Sequence, residues 1–387
     1  MRLPRSVSRN GNGAKATKKI LITGGAGFVG SHVADHLLKR GYSVRALDNL
    51  SPQVHGGGEK RPDHLAADVE LITADVRDAS AVARALKGVD AVFHFAAMVG
   101  VGQSMYEIAN YTSANGQGTA VLLEALAKKP VERLIVASSM SIYGEGLYAD
   151  RRGQRVEPQE RTIEQLKAHD WDVRGPDGEP LKPVPTPETK RPALPSVYAI
   201  TKYDQERLCM TVSRAYGIDA VGLRFFNIYG TRQALSNPYT GVLAIFASRF
   251  LNNKPPMINE DGEQRRDFVS VHDIAQACLL ALEVPDAADK VFNVGSGTSY
   301  SINEIAREMG LVLGKDDIKP EIVGRCRLGD IRNCFADITL ARDVLGYEPH
   351  VTLAEGLTEL AEWLQGQTAE DKVADASREL VARGLAV

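Results

Sequence analysis

The sequence predicts an α/β protein: a doubly wound parallel sheet with a smaller, mixed α/β domain attached. Three observations predict it. From Lys19 onward, short β-branched runs alternate with segments of helical period, the signature of βαβ crossovers. The runs are apolar throughout instead of at every second residue, as in strands buried on both faces. The first run, KKILITGG, ends in a glycine-rich turn that opens a helix.

The elements follow in order. KKILITGG, FVGSHVADHLLKRG, SVRALDN, VELITADV, SAVARALKG, DAVFHFAA, GTAVLLEALAK and RLIVASS read as strands and helices in turn. The alternation stops between Gly146 and Pro195, where eight prolines fall (Pro158, Pro176, Pro180, Pro183, Pro185, Pro187, Pro192 and Pro195). Proline removes a backbone donor, so long helices and central strands are excluded there, and only TIEQLKAHDW reads as helical. A structureless insert of this length is either a lid or interface element or a plain surface excursion. A helix from about Val197 to Tyr216, the strand AVGLRFFNIYG and the strand KVFNVGS resume the pattern. SINEIAREMGLVLG reads as a helix opening on a Ser cap, and TAEDKVADASRELVARGLAV as one amphipathic helix. The division expected is a flexible tail over 1–18, a dinucleotide-binding domain over 19–225 plus 267–295 with the insert at 146–195, a second domain over 226–266 plus 296–366, and a terminal helix over 367–387.

Composition narrows the class. Of 387 residues, 44% are hydrophobic and 25% charged, as in soluble globular proteins. No apolar run approaches the roughly 20 residues that span a bilayer, and the first residues lack an apolar signal core. A cytoplasmic location with no membrane partner is expected. A net charge of −3 gives no case for nucleic-acid binding; the basic start, MRLPRSVSRNGNGAKATKK, reads as a flexible tail or a leader remnant. Cys209, Cys278, Cys326 and Cys334 show no C-x-x-C spacing, so reduced thiols are expected and no metal site.

The first turn carries the cofactor chemistry. In ILITGGAGFVGSH, Gly24, Gly27 and Gly30 stand three apart between a strand and a helix. The first allows a tight turn, the second a close approach to a pyrophosphate, and the third close packing, while the helix amides, Phe28 and Val29 among them, face the phosphates. This is the Rossmann dinucleotide fingerprint. Asp48, with Asn49 beside it, ends the second strand where a carboxylate accepts the adenosine ribose hydroxyls and repels a 2′-phosphate, favouring NAD. Arg45 nearby keeps NADP open. Asp75 and Val76 fall at the expected adenine edge, and HFAA supplies Ala96 and Ala97, small enough for a flat cofactor. His94 reads as a strand-end packing residue.

Tyr198 and Lys202 in VYAITK are four apart, but any helix brings such positions together, so the pair alone is weak evidence. The full set of motifs is more specific. TGGAGFVG, ADV, HFAA, NGQGT, SSMSIYG, YAITK, RFFNIYG, RRDFVSVHD and RLGDIR occur in this order between residues 19 and 366. In this the chain resembles the extended short-chain dehydrogenase/reductase family of NAD-dependent sugar-nucleotide epimerases and dehydratases. The resemblance implies that Tyr198 is the proton-transfer residue, that Lys202 binds the nicotinamide ribose, and that Ser139 binds the reacting hydroxyl, with Ser141 nearby. It places Asn115 at the cofactor and Asn227, Arg266 and Arg327 on the substrate diphosphate, where guanidinium forks suit a bidentate role; Arg332 is a further candidate. Surface salt bridging is the alternative for the arginines, and strand termination for Ser139. Tyr143 and Tyr203 read as packing residues.

The chemistry is consistent with those roles. A phenol has a pKa near 10 and is a poor base at neutral pH; an adjacent ammonium and a cationic nicotinamide would favour the phenolate. A 4,6-dehydratase of the family carries Asp-Glu directly after the catalytic Thr and a 3,5-epimerase carries a Cys two positions after the Ser, whereas this chain has Met140 and Ser141. The resemblance therefore implies a 4-epimerase working on a nucleotide-diphosphate sugar. Its long insert looks most like the branch that turns dTDP-L-rhamnose into dTDP-6-deoxy-L-talose. UDP- or GDP-sugar epimerisation, a decarboxylase, dehydrogenase or reductase, and an inactive dinucleotide sensor stay open. A homodimer through helices near residues 104–129 and 198–216 is also implied.

Overall fold

Seven strands make one parallel sheet: β1 (Lys19–Thr23), β2 (Ser43–Asp48), β3 (Glu70–Thr73), β4 (Ala91–His94), β5 (Arg133–Ser139), β6 (Asp219–Phe225) and β7 (Lys290–Val294), in the spatial order β7-β6-β5-β4-β1-β2-β3. The structure, a computed structural model, describes residues 17–57, 60–239, 241–327, 329–367 and 371–386. The basic stretch before Thr17 lies outside them.

The unbroken apolar runs are explained by the two cores. Along β1, Ile20 and Ile22 enter one helix-covered core and Leu21 the other, and all three have no exposed surface. The register aligns Thr23 with Leu47 and His94, and Ser139 with Phe225. Thr23, Asp48, His94 and Ser139 therefore stand along one carboxyl edge. The strand order reverses between β1 and β4, which opens a crevice there.

The proline-rich insert is built, not structureless. Strands Arg155–Val156, Leu147–Ala149 and Lys182–Val184 form an antiparallel sheet with Leu147–Ala149 in the middle, joined by the short helix Ile163–Lys167. Pro183 is tolerated because its strand is at the edge. Gly146 N donates to Asn333 O (2.7 Å) and Thr186 pairs with Ala336, which ties this lobe to the second domain. Arg161, from the lobe, makes a buried pair with Glu260 at 2.9 Å.

The second domain holds strands Asn227–Tyr229, Arg265–Ser270, Ser299–Ser301 and Asn333–Cys334 under helices Val242–Leu251, Ile302–Val312 and Leu353–Leu364. Phe246, Phe250, Phe268, Met309 and Leu360 fill its core. The Ser301 cap is a capping box with Glu304. Strand Arg265–Ser270 runs across the expected 266/267 division, and the helix Val271–Glu283 follows it directly. The last helix, Val373–Ala382, is shorter than the amphipathic pattern suggests, and Thr368 to Glu370 lie outside the described residues. No helix of the described residues is long and apolar enough to cross a membrane.

Candidate active site

The glycine turn is shaped as its spacing requires. Gly24 has φ +71°, and a Cβ there would stand 2.9 Å from Ala96 N; a Cβ on Gly30 would stand 2.3 Å from Gly24 O. Neither position admits a side chain, so β1, the turn and the helix Phe28–Lys39 meet backbone to backbone. That helix is capped by the backbone of Gly27, has no acidic residue in its first turn, and presents the amides of Phe28 and Val29 to the crevice end.

Asp48 is buried, and its carboxylate accepts from Ala26 N (3.0 Å) and Leu50 N (2.9 Å). This holds it beside the turn. Arg45, the possible counter-indication, faces elsewhere: it donates to Ala85 O (2.6 Å) and Lys87 O (2.8 Å) and pairs with Glu70 at 2.9 Å. A carboxylate at the strand end, with Arg45 turned away from it, fits a dinucleotide with an unmodified ribose. Asp75 is pinned by Arg77, whose Nε and Nη2 lie 2.8 and 2.6 Å away, and the guanidinium keeps its carboxyl below the usual range. Asn49 reaches Asp75 at 3.5 Å, and the buried Val76 packs under Gly118.

Asn115 does not face the crevice as a free group. It is fully buried, accepts from Met98 N (2.7 Å), and donates to Met98 O (3.1 Å) and Thr201 Oγ1 (2.9 Å). It braces the segment after β4 against the helix Val197–Tyr216, from a π-helical turn over Thr112–Gln117. Ala97 follows Ala96 in that braced segment.

The two serines ending β5 point to different places. Ser138 donates to Glu206 Oε2 (2.6 Å), and Glu206 is held by Arg224 Nε and Nη2 at 2.9 Å each, behind the site. Ser139 instead stands close enough to the Tyr198 phenol to favour its ionised form, and its Oγ accepts from Ser141 N (3.2 Å) and Oγ (2.9 Å). Tyr143 lies in the buried network: its hydroxyl accepts from Arg224 (2.8 Å) and donates to Asn293 Oδ1 (2.7 Å). Tyr198 sits edge-on to Tyr111, ring centroids 6.5 Å apart, and its backbone N donates to Ser104 Oγ at 3.0 Å.

The Lys202 ammonium does not reach the phenol; it donates to Gln205 Oε1 at 2.8 Å. Burial therefore governs both groups: it pushes the Tyr198 phenol up to about 12, against a smaller lowering by Ser139, and brings Lys202 down to about 8. In this arrangement the phenolate depends on charge supplied from outside these two residues.

A buried polar chain runs behind the lysine. Gln205 Nε2 donates to Thr119 Oγ1 (3.0 Å), and Thr119 donates onward to Asn115 O (2.6 Å). His94 stands between Thr119 Oγ1 and Thr23 Oγ1, 2.8 Å from each. Since the Thr119 proton is already given, the partners assign the imidazole proton to Nε2, with Nδ1 accepting from Thr23. His94 is thus more than packing. Burial, with the Lys202 charge second, lowers it to about 3, and burial lowers His32 to about 4. Unfolding releases both to the ordinary imidazole range, so the unfolded chain binds more protons below pH 6.5. The stability they contribute is full above that pH and is lost as pH falls toward about 3. Urea midpoints should drop steadily from pH 7 to pH 4, and His94→Gln should flatten that slope; equal slopes would contradict the assignment.

The second-domain candidates converge from the other side. Arg266 donates to Arg332 O (2.8 Å) and stands 3.7 Å from Asp330, while Arg327 grips the other oxygen of Asp330 at 3.0 and 3.1 Å. The buried Asn227 Oδ1 has no partner among the described residues, a state that costs free energy unless a ligand donor meets it. Arg332 is spent elsewhere, on Glu260 (2.9 Å) and Asp261 (2.6 Å). The C-terminal helix, expected from its pattern, meets this region through contacts that no motif marks. Leu380 packs on Gly102, the Arg383 guanidinium lies 4.4 Å over the Tyr106 ring, and Ala386 pairs antiparallel with Arg327. The four cysteines are buried free thiols.

Comparison with known proteins follows the same outline. The NAD dependent epimerase/dehydratase family matches residues 20–170 and 172–295. A dTDP-L-rhamnose 4-epimerase from Burkholderia thailandensis is 36% identical over 351 residues, covering 90% of this chain and 95% of its own. Among solved structures, a UDP-glucose 4-epimerase from Thermotoga maritima with UDP-glucose superposes with TM-score 0.73 at 33% identity, covering 90% of this chain and 98% of its own. A Thermus thermophilus UDP-glucose 4-epimerase in complex with NAD gives TM-score 0.71 at 29% identity, covering 90% and 100%.

Proposed function

We propose that this chain, which belongs to the NAD-dependent epimerase/dehydratase family, inverts C4 of dTDP-L-rhamnose to give dTDP-6-deoxy-L-talose. That it is an NAD-dependent nucleotide-sugar epimerase is the premise; the sugar and the residue roles are our reading. The observation that carries the reaction is the meeting of Ser139, Ser141 and Tyr198 beside Lys202, with Met140 and Ser141 where a dehydratase carries its acid pair. The likeness to the Burkholderia enzyme carries the sugar.

NAD, when bound, supplies the hydride acceptor and donor for C4. The glycine turn and the amides after Gly27 hold its pyrophosphate, Asp48 its adenosine ribose, and Lys202 its second ribose. Ser139 Oγ orients the C4 hydroxyl, and Tyr198 takes the hydroxyl proton and later returns it. Arg266, Arg327 and Asn227 hold the diphosphate while the 4-keto sugar presents its other face. No cofactor is consumed.

A second reading is epimerisation of a UDP-sugar, favoured by the likeness to the Thermotoga enzyme. Purified protein with dTDP-, UDP- and GDP-sugars, without added NADH and with NMR of the C4 configuration, separates the two. Turnover of dTDP-L-rhamnose above the others is expected; preference for a UDP-sugar would replace the first reading with the second.

We read the assembly as a cytoplasmic homodimer through the helices near 104–129 and 198–216. Ile108 and Ile200, 53% and 51% exposed, stand on these two regions. Ile200→Glu is expected to shift the mass measured by light scattering from dimer to monomer. An unchanged mass would reject this face.

A further inference from the structure

Gln205 has no exposed surface and lies three residues after Lys202 on the helix Val197–Tyr216. Its Oε1 accepts the Lys202 ammonium at 2.8 Å, and its Nε2 faces Thr119 Oγ1 (3.0 Å), Ala96 O (3.3 Å) and His94 Nε2 (3.3 Å). The amide cannot be reversed, since its NH2 would then meet three ammonium protons. Lys202 is 3% exposed, and Thr23, His94 and Thr119 are wholly buried. A lysine on a flexible four-carbon stem does not fix its own ammonium. Here the fixing is done by one amide anchored on Ala96 O, just past β4, and on Thr119 of the helix Gly118–Lys128.

We propose that Gln205 is a positioning residue for Lys202, tethering the ammonium to the strand-end network and so setting where its charge stands relative to Tyr198 and the cofactor ribose. This rests on the reading of Tyr198 and Lys202 as the reacting pair. The titratable groups that face the ammonium are His94 from β4 and Glu206 and Cys209 from its own helix. None of them is hydrogen-bonded to it, whereas Gln205 is.

The test is the pH profile of kcat/KM for the NAD-loaded enzyme, Gln205→Leu and Gln205→Glu, with dTDP-L-rhamnose as probe, or UDP-glucose should the sugar panel select it. The alkaline limb reports loss of the ammonium proton. Gln205→Leu removes the acceptor, so the limb moves to lower pH and the neutral-pH rate falls roughly ten- to hundredfold. Gln205→Glu sets a carboxylate against the ammonium, so the limb moves to higher pH. Limbs that stay in place, or that move the same way in both variants, overturn the proposal, even if both variants lose stability. Should Gln205→Leu fail to fold, the upward shift in Gln205→Glu decides alone. Tyr198→Phe, measured alongside, separates the two levels: full turnover in that variant removes the reading of the pair and this inference with it. An inactive Tyr198→Phe with unmoved Gln205 limbs removes only the inference.

Discussion

Tyr198→Phe is expected to lower C4 epimerisation by roughly a thousandfold, within the range that a positioned acid–base group contributes, while NAD stays bound. The fold has no reason to change. The ring keeps its edge-on contact with Tyr111, and the backbone N keeps its bond to Ser104 Oγ. What is lost is the atom that takes the C4 hydroxyl proton, because Ser139 is no base and Ser141 only points back at Ser139. The phenol stands at about 12 with Lys202 held by Gln205, so at neutral pH the rate of the native enzyme depends on the cationic cofactor drawing that value down. Turnover by NMR, with bound nucleotide measured after denaturing the same sample, gives both quantities. Retained turnover would dismiss the assignment; lost turnover with lost NAD would show a binding role instead.

The second large effect concerns the insert. Arg161→Met is expected to cost about 3 kcal/mol of stability, because removing one partner of a buried ion pair leaves the other charge uncompensated. Arg161 and Glu260 side chains are 4% and 2% exposed. Arg332 also reaches Glu260, at 2.9 Å, which keeps the loss at the lower end of the range for such pairs. The pair joins the insert to the strip carrying Glu260 and Arg332, next to Arg266 and Arg327. The variant should show a lower urea midpoint and faster proteolytic nicking within residues 150–190. An unchanged midpoint would mean that the lobe is held by its apolar contacts, Leu166, Trp171 and Cys326, alone.

The parallel sheet was legible because strands buried on both faces are written as continuous apolar runs; the helix Val197–Tyr216, capped by Ser196 and ended by Gly217 in the left-handed conformation, falls where that alternation resumes after the insert. The insert was not: its strands are two or three residues long and interleaved with prolines, too short for any period to show. At the site, the glycine turn and Asp48 could be named from spacing, since each sits where a strand ends or a helix begins, whereas Ser139 and Tyr198 came only from the family resemblance. The direction of a side chain could not. That Ser138 turns to Glu206 while Ser139 turns to Tyr198, and that Asn115 braces a loop, depend on contacts between residues far apart in sequence, and that Lys202 bonds its helix neighbour Gln205 depends on Thr119 anchoring that amide. Ala386 against Arg327 is another such contact, joining the C-terminal segment to a candidate phosphate ligand.

Transfer of one hydrogen from C4 and back, within one bound sugar, is the central claim. The most direct measurement is NMR of dTDP-L-rhamnose labelled with deuterium at C4, turned over in ordinary water by the NAD-loaded enzyme without added NADH. The account predicts product inverted at C4 with the deuterium still on that carbon. Loss of the label to solvent, or a product altered at another carbon, would contradict it.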